Sequence, residues 1–255
     1  MKKLLLLSLT ILLFSCEDSD EYSPTSAVYL ARNSVTVMAF EGAQIGDTGS
    51  LNGEIYTIVN KQTLSEMVLS GEDVSKVCTS KITEMTDYIG LADVDFAQDI
   101  SSWDVSNVTT MGALFQDTNY FNEDISDWDV SNVDNMKYMF ASSRFNGFIG
   151  SWDVSSVTTM AAMFSEARFF EQPLNAWDTS NVTNMDYMFG GAAFNQPLNN
   201  WNVGNVTNME SMFWNAAFDQ DISSWDVSNV TNCQYFGQSS DLSNSFYPNF
   251  NSNCN

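Results

Sequence analysis

The chain has 255 residues, 9 of them Lys or Arg and 32 Asp or Glu, for a formal charge of −23. That charge argues against nucleic acid as a partner and against electrostatic docking on anionic lipid, while 44% hydrophobic residues suffice for a real core. The absence of histidine removes Ser-His-Asp and Cys-His catalysis, imidazole metal ligands and the usual proton shuttle near neutral pH.

At the N-terminus, Lys2 and Lys3 precede the apolar run Leu4–Phe14. The run is too short to span a bilayer as a helix. It ends in Leu13-Phe14-Ser15-Cys16. This resembles a bacterial lipoprotein signal, which implies removal of 1–15 and lipidation of Cys16. The following EDSDEY (Glu17–Tyr22) resembles the acidic tract of surface-exposed lipoproteins. The expected location is the cell envelope, as an outer-membrane lipoprotein exposed at the surface. Contact with the membrane is then through the lipid anchor only. Residues 16–26 read as an acidic tether.

Residues 27–76 read as a small β-rich cap. Ser34–Phe40 alternates like a strand, Gly46–Gly53 is turn-rich, Glu54–Val59 is a second strand and Gln62–Leu69 a short helix.

A repeat follows. Trp103, Trp128, Trp152, Trp177, Trp201 and Trp225 are spaced 25, 24, 25, 24 and 24 apart. Phe stands seven before each Trp and Ile or Leu three before. Val stands five after, and Met eight after in the first five copies, with Cys233 in the sixth. A Leu-Phe or Met-Phe pair follows at eleven and twelve, until Phe236-Gly237 breaks the pattern. The run I-x-x-W-x-V places Trp and Val at period two, as on one side of a short strand. The run V-x-x-M-x-x-M-F has the three-to-four spacing of one helical face or 3₁₀ turn. One such unit cannot bury this much Trp, Phe and Met, but stacked units can. The expected fold class is therefore α/β. It is a leucine-rich-repeat-like solenoid with one short parallel strand and one short helical turn per 24–25-residue coil, over residues 77–236. Val77–Ile89 is a degenerate first copy, with Ile82 and Met85 in register.

The text ISDWDVSNVDNMKYMFASSRFN resembles the roughly 26-residue repeat of BspA-like bacterial surface proteins, filed as domain of unknown function 285. The resemblance covers about 80–255. It implies a surface lipoprotein, with adhesion among relatives, and brings no catalytic activity.

Residues 237–255, rich in Ser and Asn, read as a C-terminal cap. In an exported protein, Cys233 and Cys254 are candidates for a disulfide, and Cys78 is expected to be free. One place after each Trp stand Asp104, Asp129, Asp153, Asp178, Asn202 and Asp226. If Trp points inward, these form an outward acidic ladder. It is either a cation stripe, with calcium the candidate, or a solvated row bonded to nearby Ser, Thr and backbone groups. The second is the expectation. Trp214 lies off the Trp register and is a candidate exposed contact. Asn107, Asn181, Asn205 and Asn229 open N-V-T sequons that read as an accident of the repeat. A glycosidase needs two carboxylates in unlike environments, and a repeat makes them alike, so the expectation is no enzyme. The expected function is binding of a protein, matrix or glycan ligand through a solenoid face. The alternatives are a structural spacer of the envelope or a glycan-binding or glycan-processing protein.

Overall fold

A computed structural model describes residues 26–86, 91 and 95–250. Residues 26–78 hold strands β1 (Val28–Leu30), β2 (Val37–Ala39), β3 (Thr48–Leu51), β4 (Glu54–Ile58) and β5 (Val77–Cys78), and helix α1 (Lys61–Ser70). β1 pairs antiparallel with β2, β3 antiparallel with β4, and β4 parallel with β5. β3 occupies the stretch expected to be turn. There Gly49 packs against β1, where a Cβ would strike Val28, so this glycine marks a close approach of two strands.

Helix α1 has the local chemistry of a helix. The Asn60 side chain accepts the Thr63 N–H at 2.8 Å. At the other end Gly71 takes φ 75°, and Gly71 and Glu72 return N–H groups to Val68 and Met67. Leu64 and Val68, four apart, are buried. They join the same core as the repeats, so α1 closes one end of that core.

From Ile82 onward the copies stack. Isolated parallel bridges link Glu84 to Thr110, then Thr110 to Asn135, Asn135 to Thr159, Thr159 to Asn184, Asn184 to Asn208 and Asn208 to Asn232. Each bridge falls seven places after Trp, and the first uses the degenerate copy. Beside it runs a backbone column in which Thr109, Asp134, Thr158, Thr183, Thr207 and Thr231 each donate N–H to the preceding copy at 2.8–2.9 Å.

The expected strand at I-x-x-W-x-V and the expected helical turn at V-x-x-M-x-x-M-F are both absent from the six Trp copies. Consecutive β-turns replace them. Trp103 N–H closes on Ile100 O, Val108 on Val105 and Leu114 on Met111, each three residues back. The spacing of three that suggested a helical face is the spacing of these turns. Alternate amides instead point along the stack. Met111, Ala113, Phe115 and Asp117 donate to Asn135, Lys137, Met139 and Ala141 of the next copy at 2.8–2.9 Å. A helix would turn those N–H groups onto its own carbonyls, and a helix of one or two turns is not stable by itself. Identical neighbours offer every second amide a partner, so the turns satisfy the backbone more completely.

This geometry requires positive φ at two places per copy, the tenth and fourteenth after Trp. Examples are Ala113 (58°) and Asp117 (58°), Tyr138 (59°) and Ser142 (54°), and Ala162 (52°) and Glu166 (54°). Each stands at the third position of a turn, as type II geometry demands. Only one copy supplies glycine there, Gly191 at 67°. The inter-copy bonds hold the other residues in a left-handed conformation that costs L-residues roughly 1–2 kcal/mol.

The core is a set of ring columns. Phe115, Phe140, Phe164, Phe189 and Phe213 stack at 5.4–5.7 Å between centroids. Phe121, Phe145, Phe170, Phe194 and Phe218 form a second column at 5.9–6.3 Å. Phe236 meets Phe213 edge-on at 83° and ends the first column. Tyr247 and Phe250 pack edge-on over Phe236, and the Tyr247 hydroxyl donates to Gly237 O at 3.1 Å. The segment after Gly237 thus covers the exposed last rung.

Candidate functional site

All six register Trp side chains are buried, at 0–5% exposure, so they offer no sugar-stacking surface. Each indole Nε1–H donates to a carbonyl in the preceding copy at 2.9–3.2 Å: Val74 for Trp103, then Ile100, Ile125, Ile149, Leu174 and Leu198. The Asn four places after Trp does the same on the outside. Asn107, Asn132, Asn181, Asn205 and Asn229 donate Nδ2–H to Ser80, Ser106, Ser155, Ser180 and Gly204 carbonyls at 2.7–3.0 Å. The sequon asparagines therefore serve as staples between copies.

The acidic ladder divides. Asp129, Asp153, Asp178 and Asp226 are exposed, with Asn202 among them. Each accepts the backbone N–H two residues on, from Ser131, Ser155, Ser180 and Ser228, at 3.0–3.1 Å. Asn202 accepts Gly204 N–H at 3.2 Å in the same way. The Ser hydroxyl and N–H beside Asp153, Asp178 and Asp226 hold those carboxyls below the usual 3.8. Each carboxylate closes its own turn, the role Asx side chains take in loops.

Asp104 is not on that surface and corrects the expectation: it is 1% exposed. The N-terminal strands cover it. Val37 N–H donates to Ser102 O at 2.9 Å, and Ala39 N–H to Ser80 Oγ at 3.0 Å. Ser80 in turn donates to Asp104 Oδ2. Ser106 donates its hydroxyl and N–H to Oδ1 at 2.6 and 3.1 Å. A buried carboxylate needs such donors, and the first copy meets the cap through them.

Trp214 is half-buried rather than exposed. It stacks on Tyr187 at 5.8 Å and 28°. Cys78 is free and buried. Burial pushes its thiol pKa up. Cys233 is disulfide-bonded. Cys254, its expected partner, and the lipidation candidate Cys16 both lie outside the described residues. Among the described residues no group of three or more His, Cys, Asp or Glu could hold a metal ion. Among them, too, no helix is long and apolar enough to cross a membrane.

A second flank, beyond the column of bridges, carries different chemistry. At the tenth place after Trp stand Ala113, Tyr138, Ala162, Tyr187, Ser211 and Tyr235. Tyrosine thus recurs in every second copy. Tyr138 is 40% and Tyr235 56% exposed, each at positive φ, which is rare for a bulky residue. The repeats from 95 to 250 contain three cations, Lys137, Arg144 and Arg168. All three fall on this flank. Lys137 Nζ lies over the Tyr138 ring at 5.0 Å, and the Arg144 guanidinium over Phe169 at 4.4 Å.

The sequence carried a signal for this flank that the repeat register concealed. Core Phe121 and Phe170 stand eighteen after their Trp, whereas Phe145, Phe194 and Phe218 stand seventeen after. The extra residue of each 25-residue copy is inserted just before the core Phe. At both insertions an aromatic stands there, Tyr120 and Phe169, 61% and 48% exposed.

A family model described as Mycoplasma protein of unknown function, DUF285, matches residues 59–167 and 141–250. No curated protein and no solved structure matches the chain. The two matches begin at the residue before helix α1's Asn60 cap and end within the C-terminal cover, so they take in the whole stack. The chain belongs to the DUF285 family, whose function is unknown.

Proposed function

We propose that this chain is a surface-displayed bacterial lipoprotein, anchored through Cys16, whose solenoid of stacked turns binds a protein, matrix or glycan ligand without catalysis. One observation carries the reading. Four of the five exposed aromatics of the described repeats, Tyr120, Tyr138, Phe169 and Tyr235 but not Phe148, gather with the cations of the repeats on the flank at the ninth to seventeenth places after Trp, while the other flank presents a row of Asp and Asn turns. Exposed rings and arginines are what recognition surfaces concentrate. The four exposed ladder carboxylates, Asp129, Asp153, Asp178 and Asp226, share one environment and are engaged by Ser donors, which supports a role in turns rather than in acid–base pairs.

The test is surface plasmon resonance of the full chain over immobilised gastric mucin, fibrinogen and collagen. Two variants are compared with it: Tyr138→Ser/Tyr187→Ser/Tyr235→Ser, and Asp129→Asn/Asp153→Asn/Asp178→Asn. Binding to one surface that survives the second variant and is lost in the first supports the reading. Binding to none of the three overturns it in favour of a spacer, and loss only in the Asp variant overturns the assignment of the ligand to the aromatic flank.

A further inference from the structure

We propose that the notch between Tyr120 and Phe169 is a binding site for a carboxylated sugar. This rests on the binding reading above and names its ligand class. Two open depressions, of about 470 and 600 Å³, share Asn119, Arg144, Arg168 and Phe169 in their linings. Tyr120 lines the larger one. The alternation of copy lengths builds the notch. Two 25-residue copies raise an inserted aromatic on either side, and the 24-residue copy between them supplies Arg144.

The electrostatics are local and unusual for this chain. Arg144 takes part in none of the ion pairs among the described residues. Its guanidinium is held over the Phe169 ring at 4.4 Å. Arg168 pairs with Glu166 at 2.8 Å, on a side chain that is 73% exposed. Arg144 therefore makes no ion pair among the described residues, although Glu166 and Glu171 also line the two depressions, and Arg168 is held only by its pair with the half-buried Glu166. A planar guanidinium matches a carboxylate in two parallel hydrogen bonds.

The ligand must then carry a carboxylate, an apolar face for the rings of Tyr120 and Phe169, and hydroxyls for the Asn119 amide. A sugar acid has all three: its ring C–H groups form the apolar face. The overall charge of −23 repels a dense polyanion at long range, so a sulfated polymer is a poor match. An acidic peptide brings several like charges into the same field. A sparse carboxylate on an otherwise neutral saccharide avoids that repulsion.

The full chain is titrated with 3′-sialyllactose against lactose, and with methyl β-glucuronide against methyl β-glucoside, by saturation-transfer NMR. A Glu-rich peptide serves as competitor. The expected result is binding of at least one acid form, with its neutral counterpart about tenfold weaker or worse. Arg144→Gln and Phe169→Ala should each weaken the acid form by a similar factor while leaving the melting temperature unchanged. Equal binding of acid and neutral forms overturns the proposal, as do full binding by Arg144→Gln and better binding of the peptide. If no saccharide binds while mucin, fibrinogen or collagen is still captured through the tyrosine flank, the sugar assignment fails and the binding reading stands. If nothing binds, both fail.

Discussion

The indole Nε1–H of Trp201 donates to the carbonyl oxygen of Leu174, one copy back, at 2.9 Å. The same oxygen accepts Trp177 N–H at 3.1 Å and closes the turn of its own copy. Trp201 also stacks between Trp177 and Trp225, each at 6.3 Å. One side chain thus joins turn, neighbour and core. Trp201→Phe keeps most of the ring but drops the donor, and should cost about 1–2 kcal/mol. Trp201→Ala should cost about 3–5 kcal/mol. Urea denaturation followed by circular dichroism checks both. A cost for Trp201→Phe near zero would show that the indole bond contributes nothing.

The left-handed positions give a pair of opposite expectations. Ser142 is exposed at φ 54°, and glycine relieves that conformation at a smaller entropic cost. Ser142→Gly should raise stability by up to about 1 kcal/mol. Gly191→Ala places a Cβ against the Glu166 carboxylate at φ 67°. It should lose about 1–2 kcal/mol. Melting temperatures that move in the reverse order would contradict the turn geometry.

Asp153, Asp178 and Asp226 have carboxyls held below the usual 3.8 by Ser donors. A folded-state pKa below the unfolded value contributes stability that is present above about pH 4. That contribution is lost as pH falls through the depressed values. Water screens these exposed groups, so each effect is small. Asn202 shows that an amide closes the same turn without titrating. The variant Asp153→Asn/Asp178→Asn/Asp226→Asn should therefore melt with a flatter dependence on pH below 4 than the parent chain. Superimposable curves would dismiss the Asp turns as a source of acid lability.

Calcium takes 6–8 oxygen ligands, and the exposed ladder offers at most one carboxylate per copy, with Asn202 in its place in one, and these are already engaged by Ser. The melting temperature is expected to be the same in millimolar calcium and in chelator, by differential scanning fluorimetry. A rise with calcium would restore the cation stripe.

Much of the fold was legible because a repeat states its core many times over. Ile, Trp, Val, Met and Phe positions were all inward-facing as read. The local geometry was not legible. A spacing of three serves a helical face and a run of β-turns equally well, and what separates them is the amide partner in the next copy, which lies 24 residues away. Asp104 was misplaced for a related reason: β2, which helps to cover it, comes from outside the register. Tyr120, Arg144, Arg168 and Phe169 were missed because attention to what repeats hides what is inserted. Tyr138, Tyr187 and Tyr235 sat at a fixed place in alternate copies, but only the exposure of Tyr138 and Tyr235 marks them as surface.

The proposed division of labour gives repeated residues the stack and residues off the pattern the ligand. Deleting Tyr120 and Phe169 together tests it most directly. The deletion turns both 25-residue copies into the 24-residue form that Trp128, Trp177 and Trp201 already begin. Its melting temperature and its binding to the acid saccharide that the parent chain takes up would be measured beside the parent chain. The expected result is an unchanged melting temperature with saccharide binding lost. Unaltered saccharide binding, or a chain that no longer folds, would contradict that division.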